Sequence, residues 1–288
     1  MSPNARDPPQ LPGAATETRT FTSIQAVTRK GPYTVKILFV LSFIVLNMMF
    51  YTPDSHADVG CGSVLAGGTF ENPSRHVLTR DLRCYGTRGI RMPHSNTILD
   101  CQNHTISHVG PRGTSIGIFV GGSQRSERRH ILNCGAMNWH NGIRVYNADT
   151  TLIERKTGTT AFRSNQIGIF VQNSSLPVLL GVTTPANDDK GMLFMNTWRP
   201  SVVSSSSNSN HDSGMFFANS TESLIRNSEA RRNGDPDIVF AQWSHHGYMV
   251  DSIFDEMFFD STATNNHWCR VIHGNVWNPG PTNFEWCQ

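Results

Sequence analysis

Gly168-Ile169-Phe170-Val171, Gly191-Met192-Leu193-Phe194 and Gly214-Met215-Phe216-Phe217 repeat one string at steps of 23 residues. The string continues upstream as Gly142-Ile143-Arg144-Val145, Gly117-Ile118-Phe119-Val120 and Gly89-Ile90-Arg91-Met92. Downstream, Asp237-Ile238-Val239-Phe240 ends the series with Asp in the place of Gly. The steps along the series are 28, 25, 26, 23, 23 and 23 residues. Two further columns keep this phase. Asn147, Asn173, Asn196 and Asn219 stand five residues after the leading Gly, and Asn138, Asn187, Asn210 and Asn233 stand four before the leading residue. A second apolar strand recurs between the strings, as Ile98-Leu99, Ile131-Leu132, Leu152-Ile153, Val178-Leu179, Val202-Val203 and Leu224-Ile225.

Strands this short do not make an independent sheet. They become stable when each coil pairs with the next, about 4.8 Å away, so that like residues stack on like. Stacked Ile, Leu, Val and Phe then fill the bore, and Asn at the bends takes left-handed backbone angles. A leucine-rich repeat needs a Leu-x-x-Leu-x-Leu string that is missing, and no helical stretch for a βαβ unit lies between the strands. The reading is all-β: a single-stranded, right-handed parallel β-helix of six to seven coils, with an N-terminal cap over 58–88 and a C-terminal cap over 245–288.

The segment Asn96-Thr97-Ile98-Leu99-Asp100-Cys101-Gln102-Asn103-His104-Thr105-Ile106 resembles the first-coil signature of the right-handed parallel β-helix superfamily. Pectate-lyase-like proteins and NosD-type periplasmic proteins belong to that superfamily. The resemblance covers about residues 60–240 and is specific for fold rather than activity. It implies a polysaccharide lyase, a uronate epimerase or a noncatalytic module. The Gly-His-Gly and Arg-x-Lys strings of galacturonan hydrolases are absent. Of the epimerase string Asp-Pro-His-Glu, only Asp235-Pro236 remains, followed by Asp237.

Residues 1–57 read differently. Arg29, Lys30 and Lys36 precede an apolar run from Ile37 to Phe50, and Ser55-His56-Ala57 suits a signal peptidase. This is the pattern of a secretory signal. Left uncleaved, residues 37–51 would serve as a membrane anchor. The segment holds five of the 24 Lys+Arg and three of the 22 Asp+Glu, so residues 58–288 carry a net charge of zero. That balance argues against a nucleic-acid partner held by bulk charge. The expected location is the periplasm or the cell exterior.

All six cysteines follow residue 57. An even count in an exported chain favours disulfides, and Cys61–Cys84 and Cys269–Cys287 are the preferred pairs. Cys101 and Cys134 hold matching places in Ile-Leu-Asp-Cys and Ile-Leu-Asn-Cys, which suits either a disulfide or two buried thiols.

Two positions before each leading residue stand His140, Gln166, Asp189, Asp212 and Asp235. Carboxylates stacked about 5 Å apart repel, so they need a cation, a shared proton or open water. Lys190 and Arg231 are near in sequence, and Ca²⁺ is the hard cation that clustered oxygens take. By the resemblance, Asp189, Asp212 and Asp235 would hold Ca²⁺ while Arg231 or Lys190 moves a sugar proton. The alternative is turn chemistry, with each Asp capping local N–H groups. Trp139, His140, Trp243 and His245 are candidate substrate contacts, since exposed rings suit a saccharide face; the alternatives are burial of Trp139 and His140 against a neighbouring loop and a plain surface His pair at His245. Arg125, Arg128 and Arg129 beside Glu127 would grip acidic sugars or form a solvated run.

Two functions follow. One is an exported protein that binds or modifies an acidic polysaccharide. The other is a noncatalytic envelope module that presents its surface to another component. A metal-handling accessory like NosD has no His-x-His or Met-rich string to support it.

Overall fold

Every strand pairing among the described residues is parallel and joins successive coils. The computed structural model describes residues 59–156, 158, 161–277 and 284–285, with backbone alone at 123–126 and 284–285. The signal or anchor expected before residue 58 lies outside the described residues. No helix of the described residues is long and apolar enough to cross a membrane.

The strands fall into three columns. The first stacks Arg88–Met92, the starts of Ile116–Leu132 and Asn141–Glu154, then Ile167–Gln172, Met192–Met195, Met215–Ala218 and Ile238–Ala241. The ends of Ile253–Phe259 and Ile272–Trp277 complete it. The second column runs from Ser74–Val77 and Thr97–Asp100 to Tyr248–Val250 and His267–Cys269. The third is shorter, beginning with Leu82–Cys84 and Thr105–His108.

Nine strands in the first column correct the count of six to seven coils. The extra turns lie in the segment expected to form the C-terminal cap. Their repeat changes length, which hides it: from Ile238 to Met257 to Val276 each step is 19 residues. The shortening comes from the corner between the third and first columns. On one coil residues 231–237 separate Glu229–Ala230 from Ile238, whereas on the next a single strand, Ile253–Phe259, runs straight through. Asp237 replaces Gly where this happens. Its buried carboxylate accepts from the N–H groups of Asp255 (2.6 Å) and Glu256 (3.0 Å) and from the Asn233 amide (2.6 Å), and burial raises its pKa.

The bore is a set of ladders. Ile90, Ile118, Ile143, Ile169, Met192, Met215, Ile238 and Met257 share one register position and are fully enclosed. Phe194, Phe217, Phe240 and Phe259 stack with ring centroids 4.7, 5.0 and 5.5 Å apart. The leading glycines have a steric cause. A Cβ on Gly191 would lie 2.8 Å from the Gly214 carbonyl oxygen and closer still to Ser207 Oγ.

The Asn columns behave as expected, with one substitution. Asn165, Asn187, Asn210 and Asn233 form a buried ladder in which each Oδ1 accepts from the backbone N–H one coil back, at 2.8–3.1 Å among themselves. Asn138 is not in it. The Trp139 N–H, not that of Asn138, donates to Asn165 Oδ1. Asn147, Asn173, Asn196 and Asn219 all have φ between 47° and 52°, the left-handed corner that Asn tolerates.

Disulfides join Cys61 to Cys84 and Cys101 to Cys134, each across neighbouring coils. The second resolves the choice left open between bridge and thiols. Cys269 is also disulfide-bonded, and its expected partner Cys287 lies outside the described residues. Such bonds point to an oxidising compartment.

Candidate functional site

The outer side of the first column is a face with two different edges. Its middle is one register row: Arg91, Phe119, Arg144, Phe170, Leu193, Phe216, Val239 and Phe258. These residues alternate with the bore positions, since neighbours along a strand point to opposite faces. The row is the third residue of each repeated string, and sequence reasoning could have found it there. In each string the bore residues carry the apolar signal, which masks the outward position between them.

One edge is the corner entering the first column. Backbone bonds link Gln166 to Asp189 and Asp189 to Asp212, one coil per step, while the next N–H onto the Asp212 carbonyl is that of Gly234. His140 belongs to this corner too, with its carbonyl accepting from Ile167 N–H at 2.8 Å. Asp189 and Asp212 therefore stack, and Asp235 follows one residue out of that register. Lys190 Nζ donates to Asp189 Oδ1 at 2.8 Å and to Asp212 Oδ2 on the next coil. Asp212 also shares a hydrogen bond with the exposed Asp235.

The carboxyls titrate apart. Burial raises Asp189, and its hydrogen bond to Asp212 adds to this against the pull of Lys190. Burial would raise Asp212 as well, but hydrogen bonds from Lys190, Asp189 and Asp235 outweigh it and hold that carboxyl far below the usual range. Asp235 is raised, first by its hydrogen bond to Asp212 and then by burial. Lys190 is raised because both carboxylates outweigh its partial desolvation. Asp212 is thus held down while the carboxyls on either side of it are pushed up.

This donor set does not fit Ca²⁺. The place between Asp189 and Asp212 is taken by the Lys190 ammonium. Among the described residues no group of three or more His, Cys, Asp or Glu could hold a metal ion. The cation that the column needs is supplied by the chain itself.

The other edge is the corner leaving the first column. Asn196 Nδ2 donates to Asn173 Oδ1 at 3.0 Å, and Asn219 Nδ2 to Asn196 Oδ1 at 2.9 Å. Beyond this exposed amide ladder runs a row of parallel bridges through Ser175, Trp198, Thr221, His245 and Thr264. A shallow groove of about 380 Å³ lies here, lined by Asn173, Asn196, Thr197, Trp198, Asn219 and Thr221 among others. Trp198 is 41% exposed and packs against the Arg199 guanidinium at 4.3 Å.

Trp243 reaches this edge through an insertion. Asn219 lies over the level of Gln242, whereas Ser220 N–H bonds Ser244 Oγ at 3.2 Å, so one extra residue sits between the two levels. That residue is Trp243, at φ 66° and 68% exposed. Its N–H donates to Thr262 Oγ1 at 2.9 Å. Nearby, His245 Nδ1 lies 2.6 Å from the Trp243 carbonyl oxygen.

The structure thus divides the residues singled out from sequence. His140, Asp189, Lys190, Asp212 and Asp235 share one corner, and Trp243 and His245 share another. Trp139 is a correction. It is fully buried, with its indole N–H donating to the Ile106 carbonyl at 2.8 Å and its ring 4.8 Å from His108, so it cannot meet a substrate. Arg231 is a second: its guanidinium is already paired with Asp255 at 2.9 Å. Arg129 is a third. It lies inside a strand, buried, donating to the carbonyls of His94 and Pro93, and burial pushes its pKa down to about 10. Arg128 lies over the Phe70 ring, and the Arg125 side chain is outside the described ones. Trp198 was missed, although its place two residues after a columnar Asn marks it.

A family model described as a right handed beta helix region matches residues 116–274. Among solved structures, ORF18 of Geobacillus virus E2 is similar at 9% identity and a TM-score of 0.54, over 88% of this chain and 62% of that one. The chain therefore spans less than two thirds of the viral protein's length. The A-module of the mannuronan C-5 epimerase AlgE4 from Azotobacter vinelandii is 10% identical with a TM-score of 0.35, over 75% of this chain and 79% of its own. Pectate lyase Pel9A is 12% identical with a TM-score of 0.41, over 76% and 58% respectively. No curated protein matches the chain. Identities this low speak to fold alone.

Proposed function

We propose that this chain, which belongs to the right-handed β-helix family, is an exported protein that binds or modifies a polysaccharide, an acidic one by the chemistry expected from its sequence. The polymer would lie along the outer face of the first column. One observation carries this: a row of half-buried aromatic side chains, with buried Leu193 and Val239 between them, is bounded by polar groups on both sides. On one side stand Asp189, Lys190, Asp212 and Asp235, and on the other the Asn173–Asn196–Asn219 ladder with Trp198. Sugars present apolar C–H faces and in-plane hydroxyls. Flat rings meet the first, while planar amides and carboxylates meet the second.

The state of the acidic edge separates binding from modification. With Asp212 held low and Asp235 pushed up, the corner sets side by side two carboxyls whose titrations are driven apart, the kind of pair that acid–base chemistry draws on. The ion pair of Asp212 with Lys190, however, already satisfies part of its charge, which favours the second reading, a noncatalytic envelope module that uses the same face. Incubating the full chain with a panel of neutral and acidic polysaccharides tests both. Retention on a glycan, weakened by Trp198→Ala, supports the proposal. New reducing or unsaturated ends that vanish in Asp212→Asn assign a reaction to the acidic corner. Absence of both binding and product across the panel would remove the polysaccharide reading.

A further inference from the structure

We infer that the outer face of the first column, over its first four coils, is a recognition strip for the acidic groups of a glycan, built by Arg88, Arg91 and Arg144 interleaved with Phe119, Tyr146 and Phe170. This rests on the polysaccharide reading and names the chemical class that the face selects.

The strip follows from register. Arg91, Phe119, Arg144 and Phe170 occupy one row on successive coils, so cation and ring alternate along the solenoid axis. Arg88 joins from the same strand as Arg91, with its guanidinium carbon 5.2 Å from the Phe119 ring centre. The Arg144 guanidinium lies 5.3 Å from Phe170 and 5.7 Å from Tyr146, and it donates to Gln172 Oε1 at 3.1 Å. Two rings thus flank the Arg144 guanidinium and one meets that of Arg88, while Arg91 takes its place in the strip from register.

Charge decides what the strip is for. Five arginines outside the strip sit on carboxylates: Arg75 on Asp100, Arg112 on Asp188, Arg199 on Glu222, Arg231 on Asp255 and Arg270 on Asp251. Among the described residues no carboxylate pairs with Arg88, Arg91 or Arg144. Arg91 and Arg144 are half-buried, and the Nε of each is enclosed without an acceptor. Partial desolvation of a cation costs free energy, and here the chain offsets it with rings and one amide but with no opposite charge. A planar anion offset by about two coil rises from the next would match Arg91 and Arg144, which stand two levels apart. Carboxylates or sulfates on a polymer meet that need, while the rings take the sugar faces between them. A nucleic acid fits less well, because residues 58–288 as a whole carry no net positive charge.

The test uses the full chain and three probes: a polyuronate, a neutral glucan and a single-stranded oligonucleotide. Binding is measured for wild type, Arg91→Gln/Arg144→Gln and Arg144→Lys, with circular dichroism checking the fold of each. The expected result is polyuronate binding that falls about tenfold or more in the double Gln variant, while Arg144→Lys, which keeps the charge and loses the flat stack, lies between. Polyuronate affinity unchanged in a folded double variant overturns the inference, as does oligonucleotide binding of equal strength. Binding of the neutral glucan alone overturns it too but leaves the polysaccharide proposal standing. Binding of neither glycan overturns both.

Discussion

The Lys190 ammonium and the Asp212 carboxylate form an ion pair across two coils, and the same nitrogen reaches Asp189 on its own coil at 2.8 Å. One lysine therefore does what a bound metal would otherwise do for stacked carboxylates. Lys190→Ala should cost about 1–3 kcal/mol, the penalty of a partly buried charged hydrogen bond left unmade. The variant should also gain thermal stability on adding calcium, which wild type should not. A melting temperature unmoved by the substitution would show that the pair contributes nothing.

Asp235 and Asp212 respond to pH in opposite senses. Asp212 is depressed, so its contribution is present above the ordinary carboxylate pKa and is lost as pH falls toward its folded value. Asp235 is raised, so its folded form favours the proton, and stability is lost as pH rises from the ordinary value through the raised one. Asp235→Asn keeps a donor to Asp212 without the second charge. It should be neutral to stabilising by a few tenths of a kcal/mol at neutral pH, as befits an exposed site. Asp212→Asn should destabilise there. Melting curves between acid and neutral pH distinguish them, and a matched response of the two variants would refute the assignment.

Phe217 sits between Phe194 and Phe240 with no exposed surface. Truncation to Ala should cost about 3–5 kcal/mol, because neighbouring coils are held in register and cannot close the gap. Urea unfolding reads this directly. A loss well under that range would mean that the stack can collapse.

Gly191→Ala should destabilise by about 1–3 kcal/mol, since the new methyl would displace Ser207 Oγ. Adding Ser207→Ala should recover part of the loss and not all, because the Gly214 carbonyl oxygen remains 2.8 Å from the Cβ. Simple additivity of the two changes in a double-mutant cycle would contradict this contact.

The Cys101–Cys134 bond closes a loop of sequence separation 33. Replacing both cysteines by Ala should cost about 3–4 kcal/mol on the chain-entropy account. Dithiothreitol should then destabilise wild type more than the variant. Equal sensitivity of the two proteins would place the stabilisation in other bonds.

Much of this molecule can be read without coordinates. The columns of Gly, of bore residues and of Asn repeat in the chain because a stacked solenoid places equivalent positions over one another, and every coil there faces the same packing problem. The carboxylate column was legible for the same reason. The turns after Ile238 were not, because deleting a corner loop changes the period while leaving the strands in place. The sequence leaves Trp139 open between an exposed ring at a bend and burial; the structure buries it, in the position that Asn occupies on later coils.

What the sequence determined, then, is the stacking: a period near the circumference of one coil, with side chains sorted into bore, corner and face. What only the tertiary structure decided is which charges meet. Lys190 chose Asp189 and Asp212, Arg231 chose Asp255, and Arg88, Arg91 and Arg144 were left facing outward. Register is set by repeated backbone bonds and is therefore written in the period. Charge pairing depends on how long side chains cross a few ångströms between coils, and no periodicity records that.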